Sequence, residues 1–336
     1  MSRVLITGGA GAIGAAVARR LLADPRYDVR ICDRRPAPLW MREGCEIRDG
    51  DLRAQAQALA ATKGCTHVVH LATYAPGAPA PLADDVEANE APSARPQTLL
   101  EHENAVHAAV VRAAVERGVE RFVYVSSADV LERAERLPTP EAELPDCPSP
   151  RSARAFARLS GERYCLAAHE QHGLPFVICR PSAVYGAPAL DAGEPGVEPL
   201  IGALLAAALR GERALELDRV LETTRTPTHV DDVAAGIVLA LGSPAALNQD
   251  FNLAGADQLT LAELARVAAE VATGDPGALA LKPGRGARGK AERSWPSTQK
   301  AQELLGWRAR IALEDGLAST VEALRVAGGG HIGAAI

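Results

Sequence analysis

Lysine is nearly missing from this chain. The basic charge is almost all arginine, and the only lysines are Lys63, Lys282, Lys290 and Lys300. No polybasic run exists, and the net charge of −6 argues against a nucleic-acid or membrane-surface partner. Arg19-Arg20 and Arg34-Arg35 are short enough to read as solvated surface. Aromatic residues make up only 4% of the chain, so Trp40, Trp295 and Trp307 read as packing residues rather than a base-stacking platform. Cys32, Cys45, Cys65, Cys147, Cys165 and Cys179 are scattered without a C-x-x-C pair, which points to reduced, mostly buried thiols. His169 and His172 lack a third partner at ligand spacing, so no metal is expected. No apolar run is long enough to span a bilayer. The start, Met1 to Thr7, lacks the features of a secretory signal, and a cytoplasmic location is expected.

What is present is an alternation of short apolar runs with helical patterns. Val4 to Thr7, Asp28 to Asp33, Glu46 to Arg48, His67 to Leu71, Phe122 to Ser126 and Pro175 to Arg180 read as strands. Helices are expected through about Ala23 and near 53–62, 101–117, 151–172, 198–210, 231–242, 260–272, 298–305 and 314–326. Strand alternating with helix implies an α/β fold with a parallel sheet covered on both faces. At 336 residues one large domain or two fused domains are the natural count. Residues 1–182, rejoined by 226–250, are expected to form a dinucleotide-binding domain. Residues 183–225 and 251–327 are expected to form a smaller substrate-binding lobe, and 328–336 a frayed tail. The segment Thr73 to Gln97 breaks the pattern and reads as a lid over the site.

Gly8-x-x-Gly11-x-x-Gly14, with Ala12 and Ile13 inside it, lies between the first strand and the first helix. Glycines in that context permit a tight turn and a close backbone approach to a pyrophosphate at a helix N-terminus. Asp33 follows 19 residues beyond Gly14, at the end of the second strand, where a carboxylate holds adenosine ribose hydroxyls. It would repel a 2′-phosphate, which favours NAD. Arg34 and Arg35 come next and would accept that phosphate, so NADP stays open. Asp51 and Leu52, after the third strand, are placed to meet the adenine edge, with Asp51 alternatively a helix N-cap.

These residues resemble the extended short-chain dehydrogenase/reductase family, and within it the NAD-dependent epimerase/dehydratase group acting on nucleotide sugars. Thr7 to Gly14 is similar to its cofactor fingerprint, His70-Leu71-Ala72 to its strand-four motif, and Val125-Ser126-Ser127 to its serine strand. Arg180-Pro181-Ser182-Ala183-Val184-Tyr185-Gly186 resembles the segment crossing into the substrate lobe. Arg225 to Val233, Phe251-Asn252-Leu253 and Leu305-Gly306-Trp307 resemble later signatures. The resemblance implies a Rossmann-type doubly wound sheet, NAD lying against Leu71, Ala72, Thr73 and Pro181, and a homodimer paired through the helices at 101–117 and 151–172.

It also implies a Tyr-x-x-Ser-Lys-x-x-x-Glu helix, and here the chain departs. The stretch reads Arg154-Ala155-Phe156-Ala157-Arg158-Leu159-Ser160-Gly161-Glu162, so arginines stand where the proton-transferring tyrosine and its lysine belong. A guanidinium does not give up its proton at working pH and cannot serve as the base. Ser127 falls on the substrate-orienting hydroxyl position. Asp129 is the candidate base, Arg154 an anion clamp, and Arg158 a binder of the nicotinamide ribose. Tyr74 is a further candidate beside the nicotinamide, and Tyr185 and Arg225 are substrate-lobe candidates, Arg225 for a diphosphate. The family's asparagine is Ala183, and its N-x-x-G-T helix motif is diluted after Asn104. The leading expectation is an epimerase/dehydratase-type enzyme working by hydride transfer with non-standard acid/base groups. The alternatives are a ketoreductase for a bulky ketone, protonated by substrate or solvent, and a cofactor-holding protein without turnover.

Overall fold

Side-chain alternation along the strands decides which layer each residue enters. Val4 and Ile6 of β1 (Ser2–Thr7) face one layer, and Leu5 between them faces the other. The same split recurs in the fifth strand, where Val123 and Val125 face one way and Phe122 and Tyr124 the other. The computed structural model describes residues 1–73, 96–186, 199–287 and 290–327. Residues 74–95 of the expected lid, with Tyr74, the stretch Leu190 to Val197 and the tail from Gly328 lie outside the described residues.

In chain order, β1 leads to α1 (Ala12–Leu22), β2 (Tyr27–Asp33), α2 (Leu39–Gly44), β3 (Glu46–Asp49), α3 (Gln55–Thr62) and β4 (His67–His70). Then come α4 (Pro96–Glu116), β5 (Arg121–Val125), α5 (Ala153–His172), β6 (Phe176–Pro181) and β7 (Val184–Tyr185). The rest is α6 (Pro199–Leu209), β8 (Ala214–Leu217), β9 (Thr224–Arg225), β10 (Thr228–His229), α7 (Val230–Gly242), β11 (Gln249–Leu253), β12 (Leu259–Thr260), α8 (Leu261–Thr273), β13 (Ala280–Pro283), α9 (Gln299–Leu305) and α10 (Leu313–Ala327). The central sheet is parallel throughout, in the order β11-β6-β5-β4-β1-β2-β3. Helices α1 and α7 pack on one face of it, and α3, α4 and α5 on the other. This is the doubly wound arrangement anticipated from the alternation. Strand order reverses between β1 and β4, and ligands of such sheets bind in the crevice at the strand C-termini there.

A third apolar cluster joins α6, α8 and α10 around Tyr185, Leu204, Leu264 and Leu317. Its helix α8 is opened by a capping box, Thr260 with Glu263, which satisfies the first backbone donors of the helix. One boundary needs correction. The sequence places residues from 251 in the smaller lobe, yet β11 hydrogen-bonds along β6 as the seventh strand of the central sheet. Phe251, Leu253, Ala301 and Trp307 are likewise buried in the first core, because an exposed edge at β6 would leave its apolar face and backbone groups unpaired.

A buried ion-pair chain ties the serine strand to this edge. Ser126 Oγ donates to Glu162 Oε1 at 2.6 Å, and Arg180 grips both Glu162 oxygens at 2.9 and 2.8 Å. Arg180 Nη1 reaches Asp250 at 2.8 Å, and Lys300 covers the other Asp250 oxygen at 2.6 Å. Removing one partner of a buried pair strands the other charge. Glu162→Ala is therefore expected to cost about 3 kcal/mol of unfolding free energy, measured by urea denaturation; a loss under about 1 kcal/mol would be the value of an exposed pair instead.

Candidate functional site

The first turn is built by backbone contact. Gly8 has φ +70°, and a Cβ on it would meet the backbone nitrogen of Ala72 at 2.7 Å. A Cβ on Gly14 would meet the Gly9 Cα at 2.6 Å. Only glycine fits at either place, and the chain turns into α1 with its first amide groups directed at the crevice. Thr7 Oγ1 accepts hydrogen bonds from the backbone N–H groups of Leu71 and Ala72, both at 3.2 Å. The end of β4 is thereby held against the glycine turn.

A cleft of about 420 Å³ opens at this point. It brings together Gly8, Gly11, Ala12, Ile13, Gly14, Asp33, Arg34, Asp51, Leu52, Leu71, Ala72 and Thr73 from the first half of the sheet. Ser127, Asp129, Arg154, Arg158, Pro181 and Ala183 line it from the second half. One Asp33 oxygen accepts the Ala10 N–H at 2.9 Å and the other the Arg35 N–H at 2.9 Å, which fixes the carboxylate at the end of β2. Asp51 does not cap α3, whose N-cap is Ala54. It pairs with Arg53 at 2.7 Å, and that pair offsets the upward pull of burial, lowering its carboxyl. The glycine cradle, the anchored Asp33 and the crevice between β1 and β4 fit a dinucleotide: the turn for its diphosphate, Asp33 for its ribose.

At the other end, Ser127 accepts the Asp129 N–H at 3.2 Å as the chain enters a single 3-10 turn over Ala128–Leu131. Asp129 is exposed to the cleft. On α5, capped by Ser152, Arg154, Arg158 and Glu162 recur every four residues and share one stripe. Arg154 is exposed at the cleft, Arg158 is partly buried with Nη1 3.3 Å from the Val125 carbonyl, and Glu162 is wholly buried. Among the described residues lining the cleft there is no tyrosine and no lysine.

Two substrate-lobe expectations are corrected by position. Tyr185 is buried in the third core, its hydroxyl 3.4 Å from the Leu313 carbonyl, because β7 turns it inward against Gly316. Arg225 does not line the cleft. Its guanidinium bonds the Thr224 carbonyl at 2.9 Å and lies 3.5 Å from Glu292, which neutralises it locally. Tyr74 lies outside the described residues.

A sequence profile of the NAD-dependent epimerase/dehydratase family matches residues 4–254. The chain belongs to that family. A UDP-glucose 4-epimerase of Mycolicibacterium smegmatis is 30% identical over 326 residues, covering 96% of this chain and 98% of that protein. The UDP-glucose 4-epimerase of Thermotoga maritima, solved with UDP-glucose, superimposes with a TM-score of 0.80 at 25% identity over 96% of this chain and 99% of its own. The Thermus thermophilus enzyme of the same name, solved with NAD, gives 0.77 at 27% identity over 96% and 99%. NAD, the cofactor that Asp33 favoured, is the one this family uses.

Sequence reasoning missed a buried polar cluster behind the cleft wall at Thr73 and Arg158: Glu103, His107 and Tyr124, with His70. His70 and His107 are in contact at 2.9 Å, and His107 lies 3.4 Å from Glu103. The signal was present, since Glu103 and His107 sit four apart on the stripe of α4 that continues through Val110, Val111 and Ala114 into the core. Tyr124 does not stand in for the missing tyrosine. It is buried, does not line the cleft, and burial pushes its phenol well above the usual range.

Two outcomes follow. Asp33→Asn is expected to weaken NAD binding roughly tenfold, the value of a charge-assisted hydrogen bond, and to shift preference toward NADP; calorimetric titration with both cofactors checks it. Burial holds the His70 and His107 imidazoles below their ordinary value, so they are neutral when folded and take up protons when unfolded. Stability is therefore complete above about pH 6.5 and falls as pH drops below it, by up to about 1.4 kcal/mol per pH unit for each histidine. Urea midpoints at several pH values between about 7.5 and 5.5 test this, and a flat profile would contradict it.

Proposed function

We propose that this protein catalyses hydride transfer on a nucleotide sugar, or a similarly polyhydroxylated metabolite, with acid/base groups unlike those of the family's Tyr–Lys pair. The observation that carries the reading is one cleft holding both the glycine turn with Asp33 and the set Ser127, Asp129, Arg154 and Arg158. The near full-length similarity to UDP-glucose 4-epimerases makes UDP-glucose the first substrate to test.

Bound NAD supplies a hydride acceptor and donor at its nicotinamide ring. A sugar hydroxyl that becomes a carbonyl has to shed its proton, and Asp129 is the carboxylate at the cleft to take it. Ser127 spends a lone pair on the Asp129 N–H, which leaves its own proton to hold the substrate oxygen. Arg154 places a permanent cation where a diphosphate or a developing oxyanion is stabilised. Arg158 offers a fork of donors to the nicotinamide ribose in place of the lysine. A second reading, reduction of a bulky non-nucleotide ketone, draws on Ala183, which gives the cleft wall no polar side chain where the family carries asparagine. The assembly that suits this reading is a dimer through α4 and α5, where exposed Phe156 and Tyr164 lie eight residues apart on one face of α5.

Incubation with NAD and UDP-, dTDP- and GDP-sugars, followed by mass spectrometry and NMR, is expected to show conversion of at least one. Binding of every sugar without conversion would overturn the reading. Asp129→Asn is expected to lower kcat by about 10²–10⁴-fold with the NAD dissociation constant unchanged. Full turnover in that variant would remove Asp129 as the base.

A further inference from the structure

We propose that Glu103 is the positioning residue of the end of the cleft lined by Thr73 and Arg158: its buried carboxylate takes the Thr73 proton and so turns that hydroxyl into a pure acceptor, and its charge favours a cation at Arg158. This rests on the NAD-binding reading above.

The proton positions follow from counting. Thr7 Oγ1 has two lone pairs and one proton. Both lone pairs are taken by the N–H groups of Leu71 and Ala72. Its proton therefore goes to His70 Nδ1, 2.7 Å away. His70 must then carry its own proton on Nε2, which faces His107 Nδ1 at 2.9 Å. His107 accepts there, so its proton sits on Nε2, between the Glu103 carboxylate at 3.4 Å and the Tyr124 oxygen at 3.2 Å. Tyr124 donates its proton to the Arg158 carbonyl at 3.2 Å. The chain runs one way, from Thr7 through two neutral imidazoles to the Tyr124 oxygen, with the Glu103 carboxylate 3.4 Å from the last nitrogen.

Thr73 closes the other side, its hydroxyl donating to Glu103 Oε1. With that proton committed, only lone pairs remain on Thr73 for a ligand in the cleft it lines. A carboxamide N–H or a ribose hydroxyl is the kind of donor they accept. Burial alone would raise the Glu103 carboxyl. The Arg158 charge, then His107 and Thr73, bring it down to about 2, so the charge persists at any working pH. Glu103 in turn favours the protonated Arg158 against the penalty of burial. The guanidinium of Arg158 thus draws electrostatic support from α4, and the same carboxylate fixes Thr73 as an acceptor.

The test uses the full chain and NADH. Titration by calorimetry and NADH fluorescence is expected to show Glu103→Gln and Arg158→Gln each weakening binding roughly tenfold, with the double variant no weaker than either single one. Additive losses, or wild-type affinity in Glu103→Gln, would overturn the proposal. Should Glu103→Gln fail to fold, the wild-type protein decides through its imidazole ¹⁵N spectrum at about pH 7. Two Nε2–H tautomers, at His70 and His107, are required, and an Nδ1–H tautomer at either overturns the one-way chain. Failure of the underlying reading looks different: the wild-type chain would not bind NADH at all, and both conclusions would fall together.

Discussion

The approach of two backbones at the centre of the sheet sets everything else. Gly8 lies against Ala72 so closely that no side chain fits between them, and Thr7 clamps Leu71 and Ala72 through one oxygen. That contact brings the C-terminal ends of β1 and β4 together where the strand order reverses. The amide groups at the start of α1, the anchored Asp33 and the wall formed by Thr73 take their places from it. The same threonine oxygen meets His70, which in turn meets His107, so the glycine turn and the buried polar cluster behind Thr73 share one structural origin.

The arginines at 154 and 158 bring more than charge to the cleft. Lysine is a compact point charge, whereas a guanidinium is a planar fork that needs partners on several edges. The surroundings of Arg158 meet part of that need. Glu103 supplies a counter-charge, the Val125 carbonyl takes one donor, and His107 and Tyr124 fill the space behind. The glycine at position 161 leaves room for the Tyr124 hydroxyl, which a Cβ there would meet at 2.2 Å.

Most of the fold was legible because its signals are local. Strand alternation, the glycine turn and helix boundaries all lie within a few residues of the elements they specify; the first six strands fall within a residue or two of expectation, whereas β11 was not read as a strand. The cofactor half of the cleft was legible for the same reason. What escaped depends on partners far along the chain. Arg225 is neutralised by Glu292, 67 residues on, and nothing near Arg225 announces it. Tyr185 is buried because Gly316 leaves space for its ring. Glu103 and His107 lie on the core-facing stripe of α4, but the partners that make them a cluster, His70 and Tyr124, come from β4 and β5. Position 183 shows the limit in another form: Ala183 takes a left-handed φ of 37°, a conformation that asparagine tolerates better than alanine, so the missing polar side chain also leaves the backbone strained.

The short crossing between lobes carries a mechanical implication. Arg180 is locked into the sheet by its carboxylates, and five residues later Tyr185 is locked among α6, α8 and α10. The linking strap is thus nailed down at both ends, with only Pro181 to Val184 between the nails. Rocking of one half of the molecule against the other therefore strains this span, one of several crossings of the chain and the one that lines the cleft.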